Sequence, residues 1–307
     1  MQIEQGSAPS GTYGDHRLLS LDDDLFTAYF DRHPFKLTHN LVTHPLLQLP
    51  RLVELAGVLK APILYFRADH AINQVDDGPT QGKRTFTERG LARPTLSPVE
   101  TIAQIENAHA WMQLRDVGSD PEYAALLGEI IDEFRIPSER RAPGLYAPRA
   151  DIFVSSPGAT TPFHLDEEHN FLLQIRGSKR LSVADGFDPA VLESERLRSF
   201  FQGNGELAPY AGHLEQRSVR VDLHPGEGVH IPPCYPHWIQ NGQEVSISLG
   251  ILWLSDVTAR RRALYRMNDL LRRAGMTPSV PGGRPVVDSI KTVPHTVKRR
   301  VSRWLHR

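Results

Sequence analysis

From residue 151 onward the chain alternates short β-branched or aromatic runs with Gly, Pro and Asp punctuation. The runs cover 151–155, 170–175, 180–184, 218–223, 228–231 and 245–254. This texture predicts a compact all-β sandwich or barrel. Upstream the period changes. Asp22, Asp23 and Asp24 precede Leu25, Phe26, Tyr29 and Phe30, which predicts a helix with an acidic first turn, stopping near Pro34. The apolar run 61–66 predicts a strand, 98–107 a helix and 109–115 a strand. Asp120 and Pro121 open a helix in which Tyr123, Leu126, Leu127, Ile130, Ile131 and Phe134 recur at helical spacing. Two further helices are predicted over 190–201 and 256–274. Residues 1–20 are polar and read as a flexible leader without an apolar signal core. Residues 69–95, with Gly78, Pro79, Gly82 and Gly90, read as a long exposed loop, and 278–285 as a Gly/Pro-rich break.

Composition fits this picture. With 40% hydrophobic and 23% charged residues in 307, the chain has the apolar content of a folded protein. No run approaches the ~18 apolar residues of a membrane span. The lone Cys234 excludes an intramolecular disulfide and a cysteine-based zinc site, and a reducing cytoplasm is the expectation. The formal net charge of -1 hides a step: residues 256–307 hold 13 basic residues against Asp256, Asp269 and Asp288, while the rest of the chain is acidic. The expected division is a leader over 1–20, a main domain over 21–255 with its barrel core at about 150–255, and a basic helical extension over 256–307.

The chemistry concentrates in Thr161-Pro162-Phe163-His164-Leu165-Asp166. On a strand, residues two apart share a face, so His164 and Asp166 converge while Leu165 faces the other layer. An imidazole and a carboxylate are two ligands of a 2-His-1-carboxylate triad, which holds Fe(II) and leaves positions open. The third ligand is expected to be a histidine on a later strand. His237 follows an apolar strand and a Pro232-Pro233 turn that would re-aim it into the barrel. His230, mid-strand, is the second choice; His169 is sent outward by alternation, and His224 precedes an exposed Pro-Gly turn. After a strand and a Gly177-Ser178 turn, Lys179 would return a cation across the barrel mouth, with Arg176 and Arg180 as alternatives. Such a cation would pair with the far carboxylate of 2-oxoglutarate, and Thr161 could add a hydrogen bond.

The segments 161–180 and 226–237 resemble the JmjC family of Fe(II)- and 2-oxoglutarate-dependent oxygenases, nearest to its cupin-like branch of factor-inhibiting-HIF-like hydroxylases. The resemblance implies a double-stranded β-helix (jelly-roll) barrel, mainly β with flanking helices. It implies iron ligation by His164, Asp166 and His237, and co-substrate contacts from Lys179, Thr161 and Asn170. A tyrosine from an earlier strand often joins that site, and Tyr146 is the candidate. Fe(II), 2-oxoglutarate and O2 would then be required, with succinate and CO2 released. A protein or peptide side chain is the leading substrate class; a small molecule or an N-methyl group is the alternative. His230 replaces an expected aromatic and would alter the pocket wall, and an amide that some members carry near Ser246–Gly250 is absent. The family's habit of C-terminal helical dimerisation makes a homodimer through 256–274 an expectation. A non-catalytic cupin-like protein contacting nucleic acid or a membrane through the basic tail is the competing class.

Overall fold

The computed structural model describes residues 17–67, 95–203 and 212–293. The leader up to residue 16, the loop over 68–94 and the basic tail from 294 lie outside the described residues, and so do the expectations attached to them. Eight strands build the barrel: β5 (Tyr146–Ser155), β6 (Thr160–His164), β7 (His169–Arg176), β8 (Lys179–Ala184), β9 (Ser218–Leu223), β10 (Glu227–Ile231), β11 (His237–Asn241) and β12 (Ser246–Leu254). They distribute between two antiparallel sheets. One contains the order β10-β7-β12-β5, and the other is β6-β11-β8-β9. This is the jelly-roll expected from the sequence.

The larger sheet grows at both ends with N-terminal strands. On one side β10 pairs with β2 (Phe35–His39), which pairs with β1 (Leu19–Ser20). On the other, β5 pairs with β4 (Ala110–Leu114), which pairs with β3 (Ile63–Arg67). Barrel sheet and N-terminal region are therefore one hydrogen-bonded unit. Strand β2 was not expected from the sequence. Its five residues FKLTH alternate inward and outward, but two histidines and a lysine nearby mask the apolar positions.

The larger sheet is covered on its outer face by α1 (Asp23–Tyr29), α2 (Leu49–Val58), α3 (Pro98–Ala103) and α4 (Pro121–Arg141). Helix α4 starts as expected: the Asp120 carboxylate accepts from the N–H groups of Glu122 and Tyr123, and Pro121 occupies the first turn. It buries Tyr123, Leu126, Ile130 and Phe134 against Phe171 and Trp253 of the sheet. Strands β7 and β12 are buried on both faces, so they read as continuous apolar runs rather than alternating ones.

Helix α5 spans only Ser194–Phe201, four residues shorter than expected, because Ala190 and Val191 form a turn that Asp188 closes. It follows the smaller sheet together with the one-turn α6 (Leu214–Arg217). The C-terminal α7 (Asp256–Arg273) is capped by Ser255 and Thr258 and packs on this side, its Tyr265 ring stacked on Phe201 with centroids 4.6 Å apart. A further helix covers 285–293. No helix among the described residues is long and apolar enough to cross a membrane.

Candidate active site

Strands β6 and β11 are neighbours, and their register sets His237 directly opposite His164. The two imidazole centroids stand 4.2 Å apart. The Asp166 Oδ2 lies 3.9 Å from His237 Nε2. One donor atom from each of the three residues lies within 4.8 Å of the others, so a single ion can be shared by all three.

Backbone contacts orient both rings. Nδ1 of His164 donates to the carbonyl of Pro162 at 2.8 Å, and Nδ1 of His237 donates to that of Tyr235 at 2.9 Å. A carbonyl only accepts, so each Nδ1 must carry the proton, and each Nε2 keeps a lone pair for a metal. Burial, reinforced by the neighbouring His164, holds the His237 pKa well below the ordinary histidine range. The ring is neutral at physiological pH, as ligation requires.

Asp166 is not on the strand with His164, contrary to the alternation expected; β6 ends at His164. What positions it is the turn that carries His237. The N–H of Cys234 donates to the Asp166 carbonyl at 2.7 Å. Cys234 has φ 67, the left-handed region, so the chain reverses sharply after Pro232 and Pro233. The thiol itself is buried and its pKa is pushed up to about 11, chiefly by that burial. It is a packing residue.

Lys179 opens β8 behind the Gly177 turn. Gly177 has φ +67, and a Cβ there would sit 2.5 Å from the Val245 carbonyl oxygen, so only glycine fits. The turn delivers Lys179 to the barrel interior at 6% exposure. Burial alone lowers its pKa to about 7, with no carboxylate among the described residues to compensate. The alternatives fall away: Arg176 is exposed, and Arg180 is exposed and paired with Asp222 at 2.8 Å.

The triad and Lys179 share one cavity of about 300 Å³, which Thr161 and Asn170 also line. The Thr161 hydroxyl accepts from the Trp111 indole at 2.8 Å and keeps its own proton to donate. Asn170 Oδ1 is buried without a hydrogen-bond partner. A buried lone cation beside a three-ligand set is the polar group a metal-bound dicarboxylate would satisfy. The residues present fit Fe(II) and 2-oxoglutarate.

Other expectations resolve differently. Tyr146, at the start of β5 opposite Leu254, is not among the residues lining the cavity. Arg149, three residues on, is. His230 faces away from the cavity, because its strand neighbours Val229 and Ile231 take the barrel interior. It packs instead between Phe30 and Phe35, at centroid distances of 4.8 and 5.0 Å, so it forms no pocket wall. His169 also points out of the barrel, yet it is fully buried, because helices cover that face; it stacks between Phe30 and Trp253. His224 is exposed, as expected. The sequence reading missed Trp111 and Gln113 of β4 and Arg115 just after it, which line the cavity. Their spacing of two was the available signal, hidden because nothing indicated that β4 joins the barrel sheet.

Residues 99–258 match the model of the cupin-like domain. The chain is similar to Jumonji C domain-containing protein 5 of Drosophila melanogaster, 24% identical over 229 residues, which cover 71% of this chain and 52% of the relative. It is also 29% identical over 145 residues to tRNA wybutosine-synthesizing protein 4 of Aspergillus oryzae, covering 45% of this chain and 14% of that protein. The chain thus spans about half the length of the fly relative and a small part of the fungal one. Among solved structures it resembles the Escherichia coli ribosomal oxygenase YcfD. The form in complex with cobalt and 2-oxoglutarate aligns at TM-score 0.47 and 17% identity, over 87% of this chain and 61% of that one. A second YcfD structure aligns at 0.48 and 16%, over 91% and 67%. With more than half its length matched by the family model and the jelly-roll in place, the chain belongs to the cupin-like family.

Proposed function

We propose that this protein is an Fe(II)- and 2-oxoglutarate-dependent oxygenase that hydroxylates a protein or peptide side chain, releasing succinate and CO2. The observation that carries the reading is the sharing of one cavity by the His164, Asp166 and His237 set and the unpaired Lys179. A metal site alone is compatible with many functions. A metal site with a buried, partnerless ammonium beside it calls for an anionic co-ligand.

When bound, iron and 2-oxoglutarate supply the oxidising chemistry, coupling decarboxylation of the keto acid to insertion of one oxygen atom of O2 into a C–H bond. The chain's own residues do the rest. His164, Asp166 and His237 hold the metal on one side and leave the cavity side open. Lys179 fixes the distal carboxylate, with Thr161 donating to it. The side-chain NH2 of Asn170, which also lines the cavity, would be the group to donate to the bound ligand. Leu172, Ile231 and Ile239 form the apolar wall that excludes water.

The protein-side-chain substrate rests on the likeness of 161–180 and 226–237 to the factor-inhibiting-HIF-like branch, and on a relative named for its Jumonji C domain. The reading includes assembly as a homodimer. Leu270 on α7 and Val286 and Ile290 on the following helix are apolar and 59%, 75% and 66% exposed, and sedimentation equilibrium reads the result. Activity is tested by succinate release from purified protein with Fe(II), 2-oxoglutarate and O2, with and without peptide pools. Peptide-stimulated succinate supports the reading; stimulation by small molecules alone reassigns the substrate.

A further inference from the structure

Beyond the three-ligand set and Lys179, the cavity carries two more cations, Arg115 and Arg149, and Asp166 is the only carboxylate among its described lining residues. The two arginines differ in their surroundings. Arg149 is held by Asp151, a fully buried carboxylate that also accepts from Gln113 at 2.8 Å and from the Asp116 N–H at 2.9 Å. Glu168 stands 3.4 Å from its other nitrogen. Its charge is more than matched, since two carboxylates stand against one guanidinium. Arg115 is half-buried one residue past the end of β4 and lines the same cavity as Gln113, and among the described residues it makes no hydrogen bond, ion pair or ring contact.

Resting on the oxygenase reading, the charges of the inner site close without Arg115. Two positive charges on Fe(II) and one on Lys179 face one negative charge on Asp166 and two on 2-oxoglutarate. Arg149 is answered by its own acids. The Arg115 guanidinium has no contacting carboxylate among the described residues, and it lines a cavity whose wall also includes Trp111, Leu64 and Phe153. A half-buried guanidinium without an anion is poorly solvated, and its fork suits a carboxylate.

We infer that Arg115 is the specificity-determining residue of the substrate subsite and that it selects a substrate carrying a carboxylate next to the oxidised carbon. That group could belong to an Asp or Glu side chain in a peptide or to a free carboxylic acid. A Lys or Arg side chain is disfavoured, since it would meet the Arg115 guanidinium, which has no carboxylate beside it.

The test uses full-length protein loaded with Co(II) and 2-oxoglutarate. Its probes are three alanine-flanked peptide pools, with Asp or Glu, Asn or Gln, or Lys or Arg at the centre, and a mixture of four- to six-carbon carboxylic acids. Calorimetry reads affinity, and the cobalt visible spectrum reads whether the probe reaches the metal. The acidic pool or the acid mixture binds and perturbs the spectrum, and added salt weakens the binding. Which of the two binds tells peptide from small molecule. R115Q weakens that binding roughly 10- to 100-fold, R115E transfers preference to the basic pool, and the exposed control R180Q changes nothing. Equal or tighter binding of the basic pool by the parent protein, an unchanged preference in R115E, or binding of no probe overturns the inference. The metal reading fails separately, by absence of the 2-oxoglutarate chelate spectrum before any probe is added.

Discussion

The N–H of Cys234 donates to the carbonyl of Asp166 at 2.7 Å, and this bond joins the two loops that carry the candidate metal ligands. One loop follows β6 and holds Asp166; the other precedes β11 and leads into His237. Neither loop is fixed by a sheet ladder at that point, so the bond and the left-handed residue that makes it set the ligand geometry.

Substitution at Cys234 should therefore depend on backbone freedom more than on the thiol. Glycine adopts φ 67 freely, and Cys234→Gly should cost only the lost packing. Cys234→Val should cost about 1–3 kcal/mol more, because a β-branched residue is strained there. Chemical denaturation of the two variants checks the order. The buried thiol, with its pKa near 11, should also react slowly with iodoacetamide at pH 8 until the protein unfolds.

The C-terminal extension reaches the same loop. Arg262 of α7 grips Glu167, next to Asp166, through two bonds of 2.6 Å. The pair is partly exposed, so Arg262→Ala should cost only about 1–2 kcal/mol of stability. Its larger effect should be on metal affinity, with a loss on the order of tenfold because Asp166 is less well placed. A competitive metal titration of R262A against R273A, an exposed arginine on the same helix, separates this effect from general loss of charge.

Lys179 carries a pH signature. Its pKa is about 7 in the folded protein against an ordinary value of 10.5. The lowered value means that between these limits the unfolded chain binds the extra proton, so this residue's contribution to stability rises with pH across that window. The binding consequence runs the other way. If Lys179 pairs with 2-oxoglutarate as proposed, binding needs the ammonium, and the affinity should fall as pH rises above about 7. Lys179→Met should bind it at least tenfold more weakly and lose the pH dependence, while unfolding at higher denaturant near pH 7. Calorimetry at several pH values and urea melts check both halves.

The core histidines act in the acid range. Burial lowers the His39 pKa to about 4 and the His230 pKa to about 3, and pushes His169 well below its ordinary value. For His230 the His33 backbone opposes this shift without cancelling it. Each stays neutral in the folded state while the unfolded chain protonates near 6.5. Stability should fall as pH drops from about 6.5 toward 4, by up to about 1.4 kcal/mol per pH unit for each histidine. Among the described residues neither ring nitrogen of His230 makes a hydrogen bond of good geometry, and the His33 backbone supplies only a weak contact. His230→Phe should therefore be at least as stable as the parent at pH 5, and a clear loss of stability there would contradict this account of the cluster.

The site was more legible in the sequence than its surroundings. His164 and Lys179 sit on strands whose apolar pattern is unambiguous, and the Gly177 turn fixes the return of the lysine. Asp166 was found by a spacing rule that the structure does not use: its place comes from the Cys234 turn. His169 points outward as alternation expects, but its burial, and the outward facing of His230, were not legible because strand alternation does not tell what covers a sheet face. Here α1 and α4 turn the outward face into a second core around Trp253. Arg115 was invisible because its value depends on β4 extending a sheet whose other strands begin some 30 residues later. Charge told a similar story. The step at Asp256 suggested a boundary, but Arg262 binds the C-terminal helix to the ligand loop across it.

The most direct measurement is the visible spectrum of the protein mixed with Fe(II) and 2-oxoglutarate without oxygen. The account predicts a charge-transfer band that appears only with both added. The band should be lost in His164→Ala and Asp166→Ala, which should keep the parent far-ultraviolet dichroism, and should need far more 2-oxoglutarate in Lys179→Met. No band in the parent protein, or an undiminished band in His164→Ala, would contradict it.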